Sequence, residues 1–196
     1  MVATNHPNVR VHPVCADFTA EPTALPFARK RIVFFPGSTI GNLVKPQRLE
    51  LLQQFARYAR PGGRLLIGYD LVKPPAAMIS AYNDSAGVTA AFTLTLLQRI
   101  NDQLGGTFDV HNLAHDSPWV VCHSCIEMHL GSLCAQRVSI DDQVFEFSEG
   151  ERIHTENSHK FTTAQFDAEA ADAGLSLVKH WTDEDEWFAL GLYEAS

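Results

Sequence analysis

Two periods of hydrophobic and polar positions succeed one another along the chain, and the changes of period divide it. Positions 9–14 alternate, with Val9, Val11 and Val14 apolar. They predict a short strand that leads into an acidic loop carrying Asp17 and Phe18. Positions 32–35, Ile-Val-Phe-Phe, form an uninterrupted apolar run of strand length, the pattern of a strand buried on both faces, and Pro36-Gly37 ends it. Leu49, Leu51, Leu52, Phe55 and Ala56 recur at helical spacing and predict an amphipathic helix over 46–59, stopped by Pro61-Gly62-Gly63. Positions 64–69 predict a third strand, which ends in Asp70. Strand, helix and strand at this spacing make a βαβ unit, with parallel pairing and a right-handed crossover.

Beyond Asp70 the pattern changes. Positions 78–104 predict one or two helices with Val88, Phe92, Leu96, Leu97 and Ile100 as the apolar stripe. Positions 119–130 read as one strand, and 119–147 as a strand-rich, turn-rich antiparallel region. Positions 162–173 predict a helix capped by Thr162 or Thr163 and ended by Gly174. Positions 175–181 and 187–193 predict a closing hairpin around the solvated acidic run 183–186. The whole reads as one α/β domain over 1–196.

Composition narrows the partners. The formal net charge of -8, with no basic stripe, argues against a nucleic-acid surface and an anionic membrane. The apolar runs are too short to span a bilayer, and the first residues lack a basic-plus-apolar signal pattern, so the expected location is the cytoplasm. Cys122-x-x-Cys125, with His123 and His129 nearby, raises a zinc site. On a single strand, however, Cys122 and Cys125 point to opposite faces, so reduced thiols and no metal are expected.

Three polar clusters are the candidates for chemistry: 37–42, 81–84 and 153–160. The first follows a strand directly, and in open α/β sheets ligands lie beyond the carboxyl ends of the strands. The third precedes a predicted helix. Capping accounts for one of Thr155, Asn157 and Ser158, but not for Glu156, His159 and Lys160 together.

Five segments carry a resemblance: 34–42 (FFPGSTIGN), 66–73 (LIGYDLVK), 81–92 (AYNDSAGVTAAF), 126–130 (IEMHL) and 153–161 (IHTENSHKF). In this order they resemble the histidine-specific methyltransferases of ergothioneine biosynthesis. The resemblance implies a class I, Rossmann-like methyltransferase sheet with an antiparallel substrate-binding insertion at about 75–160. It implies S-adenosylmethionine as cofactor and three methyl transfers to the α-amino nitrogen of L-histidine, giving hercynine. Asp17 and Phe18 then match positions that hold the adenine. Gly37, with Ser38 beside it, matches the loop facing the reactive methyl group. Asn42 and Tyr82 match the receptor for the amino-acid head group. Glu156 and Ser158, flanking Asn157, match the imidazole-reading pair, and Met128 lines the imidazole pocket.

The family opens with a strand and a glycine-rich turn, then a second strand ending in an acid. Here no glycine precedes Gly37, and 9–14 already resembles the third strand. In the class I order the first two strands lie between the third and fourth. The sequence therefore predicts an open edge at 32–35, which pairs with a second copy to give a homodimer or takes the 9–14 strand beside it. The competing functional reading is a cofactor-incompetent methyltransferase-like module acting in oligomerisation or binding.

Overall fold

A computed structural model describes residues 8–20, 25 and 30–196. Its central sheet has the order β1 (Ile32–Phe35), β2 (Arg64–Asp70), β10 (Phe188–Ala195), β9 (Leu175–Thr182). The first pair is parallel and the other two antiparallel. The parallel pair is joined through α1 (Lys45–Ala59), as the βαβ reading expects. Alternation along β2 puts Leu65, Ile67 and Tyr69 on one face, where they are fully buried under α1 and α4 (Thr163–Asp172). Tyr69 stacks on Phe166 of α4 with ring centroids 3.9 Å apart. Thr162 caps α4, accepting from the Gln165 N–H while the Gln165 side chain returns to the Thr162 N–H.

Between β2 and α4 the chain makes a second layer. Helices α2 (Pro75–Tyr82) and α3 (Val88–Leu104) lead to an antiparallel sheet of β3 (Leu113–Asp116), β4 (Trp119–Val120), β5 (Cys125–Ser132) and β8 (Arg152–His159). A hairpin of β6 (Gln136–Ile140) and β7 (Gln143–Phe147) projects from it. The insertion leaves at Leu71 and returns at Phe161. Those residues bridge in parallel, the Phe161 N–H donating to Asp70 C=O and the Val72 N–H to Phe161 C=O. The insertion is thus stitched to the carboxyl end of β2. Among the described residues no helix is long and apolar enough to cross a membrane.

Four expectations are corrected. Residues 9–14 form no strand: Val9, Val11 and Val14 are about half exposed, no neighbouring strand pairs with them, and β1 pairs only with β2 among the described residues. Re-pairing of 9–14 beside β1 therefore does not occur. Residues 119–130 are two strands rather than one, because a 3-10 turn at Val121–His123 and a left-handed Ser124 break them. The cysteines of Cys122-x-x-Cys125 thus flank a turn after all, one exposed and one buried. The expected stripe of α3 is only partly core: Leu97 is buried, while Val88, Phe92 and Leu96 are exposed. Finally, 32–35 packs on one face only: Ile32 and Phe34 are exposed, because among the described residues a single layer lies against β1; the polar cluster at 153–159 forms strand β8.

Candidate active site

The loop after β1 is shaped by close approaches. Gly68 lets β2 pass the Pro36 carbonyl, since a Cβ there would lie 2.2 Å from that oxygen. Gly41 does the same toward β8, where a Cβ would meet the His159 carbonyl at 2.8 Å. His159 Nδ1 donates to Gly41 C=O at 2.8 Å and fixes the contact. Between these glycines Ser38 takes a left-handed φ of 57°. That conformation costs a non-glycine residue about 1–2 kcal/mol, and it lets Ser38 Oγ accept from the Asp70 N–H at 3.0 Å. Ser38 therefore ties together the ends of β1 and β2. Among the described residues Gly37 has no such neighbour; the nearest atom to a Cβ there is Thr39 Oγ1, 3.8 Å away, so its α-carbon borders open space.

The 3-10 turn Thr39–Asn42 carries Asn42 to the insertion, where its Nδ2 donates to Glu156 Oε1 at 2.7 Å. Strand alternation on β8 places Glu156 and Ser158 on one face, opposite Met128 and Ile126 of β5. Lys160 continues that parity. Met128 is buried with Met78 and Ile126, packed against Tyr82 and Trp119. Tyr82 ends α2, and its hydroxyl lies 2.7 Å from Ser158 Oγ.

Beneath this pair lies Lys160, 2% exposed. Its ammonium donates to Tyr82 Oη at 2.8 Å and Ser158 Oγ at 2.7 Å, and pairs with Asp70 Oδ2 at 2.7 Å. All three ammonium hydrogens are thereby used. The charge is compensated by Asp70, which Lys73 also contacts. Tyr82 and Ser158 bring two hydroxyl protons. One lies between the two oxygens, and the other is left to face a ligand.

Sequence reasoning did not assign Lys160 and Asp70 to the site. The signal was the spacing Glu156-x-Ser158-x-Lys160, which has the period of a strand and places all three on one face. Asn157 was expected beside Glu156 and Ser158 but lies on the other face of β8. There its Oδ1 is 3.0 Å from His154 Nε2 and 3.6 Å from the Cys125 sulfur. Burial pushes that thiol up to about 11.

Asp17 and Phe18 stand apart from the Asn42–Glu156 group. Asp17 Oδ1 accepts from the Thr19 hydroxyl at 2.7 Å and the Thr19 N–H at 2.9 Å, which holds the exposed carboxyl below its ordinary value. The Phe18 ring lies 5.7 Å from Phe35, at the carboxyl end of β1. The segment therefore reaches the same end of the sheet as Gly37 without being a strand.

The chain is similar to known proteins. The chain is 39% identical over 193 residues to "Histidine N-alpha-methyltransferase" of Mycolicibacterium smegmatis, covering 97% of this chain and 60% of that protein. It is 26% identical over 163 residues to "Ergothioneine biosynthesis protein 1" of Neurospora crassa, covering 81% of this chain and 18% of that protein. The chain thus spans about 60% of the length of the first of these relatives. Among solved structures it is similar to an S-adenosylmethionine-dependent methyltransferase from Clostridium acetobutylicum, with a TM-score of 0.49, 9% identity, and coverage of 98% of this chain and 68% of that one. The family model for histidine-specific, SAM-dependent methyltransferases matches residues 1–195, and the chain belongs to that family.

Proposed function

We propose that this chain forms the substrate-binding half of an S-adenosylmethionine-dependent N-methyltransferase that carries the α-amino group of L-histidine through three transfers to hercynine, a step of ergothioneine formation. The observation that carries the reading is a pair of hydrogen-bonded groups brought by one face of β8 to the carboxyl ends of β1 and β2: Asn42 on Glu156, and Tyr82 on Ser158 and Lys160. Asn42 spends one amide N–H on Glu156 and keeps its carbonyl and second N–H for a head group. Glu156 keeps Oε2 as an acceptor for an imidazole N–H. The spare hydroxyl proton of the Tyr82–Ser158 pair suits either the unprotonated ring nitrogen or the carboxylate. A buried site that pairs both ring nitrogens discriminates strongly against amino acids lacking them.

The residues fit the adenine and the reacting end of the cofactor, while no glycine precedes Gly37 to form the family's glycine-rich turn. Phe18, half exposed beside Phe35, and the exposed Asp17 carboxylate would hold the adenine. The open space at Gly37 leaves room for the reacting end. When bound, the cofactor supplies a methyl group on a good leaving group. The chain's own task is to hold the amine neutral and in line, and positioning of this kind supplies much of the rate. Asn42 and Tyr82 would do this through hydrogen bonds to the head group.

Calorimetry of the chain with S-adenosylmethionine and with L-histidine, followed by mass spectrometry of the product, tests the proposal. Binding of both and accumulation of the trimethylated product are expected. Failure to bind either ligand overturns it and leaves the binding-module reading.

The edge position of β1 among the described strands, with Ile32 and Phe34 exposed on one face beside it, favours a second feature, association of two copies through β1. A sedimenting monomer at high micromolar concentration overturns that part alone.

A further inference from the structure

We propose that the other face of the β5–β8 ribbon is a site for a divalent transition-metal ion, built from Glu127, His129 and His154, with His123 as a further donor. No step of the proposed reaction uses this face. Glu127 and His129 are two apart on β5 and so project to the same side. On β8 regular pairing would place Thr155 opposite His129. A bulge intervenes: Met128 pairs with Glu156 and His129 with His154, leaving Thr155 as the extra residue. Thr155 Oγ1 donates to Met128 C=O at 3.0 Å and pins the bulge. Bulges of this kind re-aim side chains. This one sets the His154 ring on the His129 ring, with centroids 4.9 Å apart and planes 27° from parallel.

The ligand atoms of Glu127, His129 and His154 all lie within 4.8 Å of one another. Glu127 Oε2 is 3.3 Å from His129 Nε2, and Glu127 Oε1 is 3.0 Å from His123 Nδ1. Tetrahedral bonds of about 2.0–2.2 Å place neighbouring ligand atoms about 3.3–3.6 Å apart. The Glu127–His129 edge of such a shell is therefore already at its required length, and His123 lies on the other carboxylate oxygen. Imidazoles with one carboxylate select zinc, cobalt, nickel or copper over magnesium or calcium.

The surroundings favour a metal over a simple hydrogen-bonded cluster. His154 Nε2 lies 3.0 Å from Asn157 Oδ1 and 3.2 Å from Glu156 C=O, both acceptors, so Nε2 carries the proton and Nδ1 keeps the lone pair. Metal-ligating histidines are oriented in this way by an acceptor on the second ring nitrogen. His129 is largely buried, and its Nδ1 has no hydrogen-bond partner among the described residues. Among the described residues its polar contact is the one with Glu127, which compensates poorly for burying an imidazole. His123 and His154 are exposed and leave an entry path.

The test is titration of the chelator-stripped chain with Co²⁺, read by its visible absorption, and with Zn²⁺, read by calorimetry. One equivalent of each is expected to bind, with the intense absorption of four-coordinate cobalt. His154→Ala and His129→Ala should each weaken binding at least tenfold, and Asn157→Ala about tenfold through loss of the orienting acceptor. His111→Ala, an exposed histidine elsewhere, should leave binding unchanged. His154 is exposed, so its variant is expected to fold, and circular dichroism checks this. Zn²⁺ should raise the Tm of the parent and not of His154→Ala. Unchanged stoichiometry and affinity in a folded His154→Ala chain, or no cobalt absorption in the parent, overturns the proposal.

Discussion

The two faces of the β5–β8 ribbon carry the same kinds of side chain and organise them in opposite ways. On the face of Met128, Glu156 and Ser158, the polar groups are partnered from far along the chain: Glu156 by Asn42, Ser158 by Tyr82, and the following Lys160 by Asp70. On the face of Glu127, His129 and His154, the partners lie within the ribbon itself or its adjoining turn. The first face therefore exists only when the sheet, α2 and the insertion are all in place. The second needs little beyond two paired strands. Groups gathered from distant elements form a site whose geometry depends on the whole fold, whereas local groups can be added to a strand pair without disturbing it.

Breaking the first face at its buried cation should give the largest effect. Lys160→Met removes the ammonium from Tyr82, Ser158 and Asp70 and leaves Asp70 with Lys73 alone. Removing one partner of a buried ion pair costs about 3–5 kcal/mol. Urea denaturation should report a loss of that order, while His154→Ala on the other face should stay within about 0.5 kcal/mol, as exposed substitutions do. Equal losses from the two variants would erase the contrast between the faces.

Glu156→Gln sharpens the comparison from the side of recognition. The substitution keeps the shape and an oxygen for the Asn42 amide but removes the charge that an imidazole N–H would meet. A hydrogen bond to a charged group is worth about 1.5–3 kcal/mol. Histidine affinity measured by calorimetry should fall about 10- to 100-fold, with S-adenosylmethionine affinity unchanged. A parallel fall in both would mean that Glu156 supports the fold rather than reading the substrate.

A pair of glycines separates packing from open space. Gly41→Ala drives a Cβ into the His159 carbonyl, a backbone atom that cannot swing aside. Overpacking of this kind costs about 1–3 kcal/mol. Gly37→Ala meets nothing within 3.8 Å, so stability should hold within about 0.5 kcal/mol while cofactor binding falls. Thermal melts of the two variants check the first part and calorimetry the second. A Gly37→Ala chain that binds cofactor normally would remove Gly37 from the site.

Much of this was legible in the sequence because it depends on local period. The strand at 32–35, the helical spacing of Leu51, Leu52 and Phe55, and the closing hairpin were read correctly as elements, since each buries one face against a single core. The errors came where tertiary context decides. Val9, Val11 and Val14 alternate like a strand, but alternation cannot supply a neighbour to pair with. Val88, Phe92 and Leu96 repeat like a buried stripe, yet Thr93 and Leu97 face the core instead. Lys160 escaped assignment because a lysine in a polar cluster looks solvated until Asp70, ninety positions earlier, is brought against it. The bulge at Thr155 has no signature in a single strand's sequence, since it is defined by two strands falling out of step.

The smallest effect concerns the residue where the second face's parity meets the loop of the first. His159 pairs with Cys125 across the ribbon, yet its Nδ1–H donates to Gly41 C=O. Burial holds its pKa below the ordinary value of 6.5, and the Gly41 hydrogen bond offsets this only in part. The sign follows from linkage. The folded chain takes up this proton less readily than the unfolded chain, so folding gains full benefit above about pH 6.5 and loses it as the pH falls below that value. Urea midpoints taken downward from pH 8 should therefore decline more steeply in the parent than in His159→Gln, whose side chain can still donate to Gly41 without titrating. The Gly41 contact itself survives protonation, because Nδ1–H donates in both forms of the ring. Identical pH profiles for the two proteins would detach His159 from the pH dependence of stability, leaving the Gly41 approach as a matter of backbone packing alone.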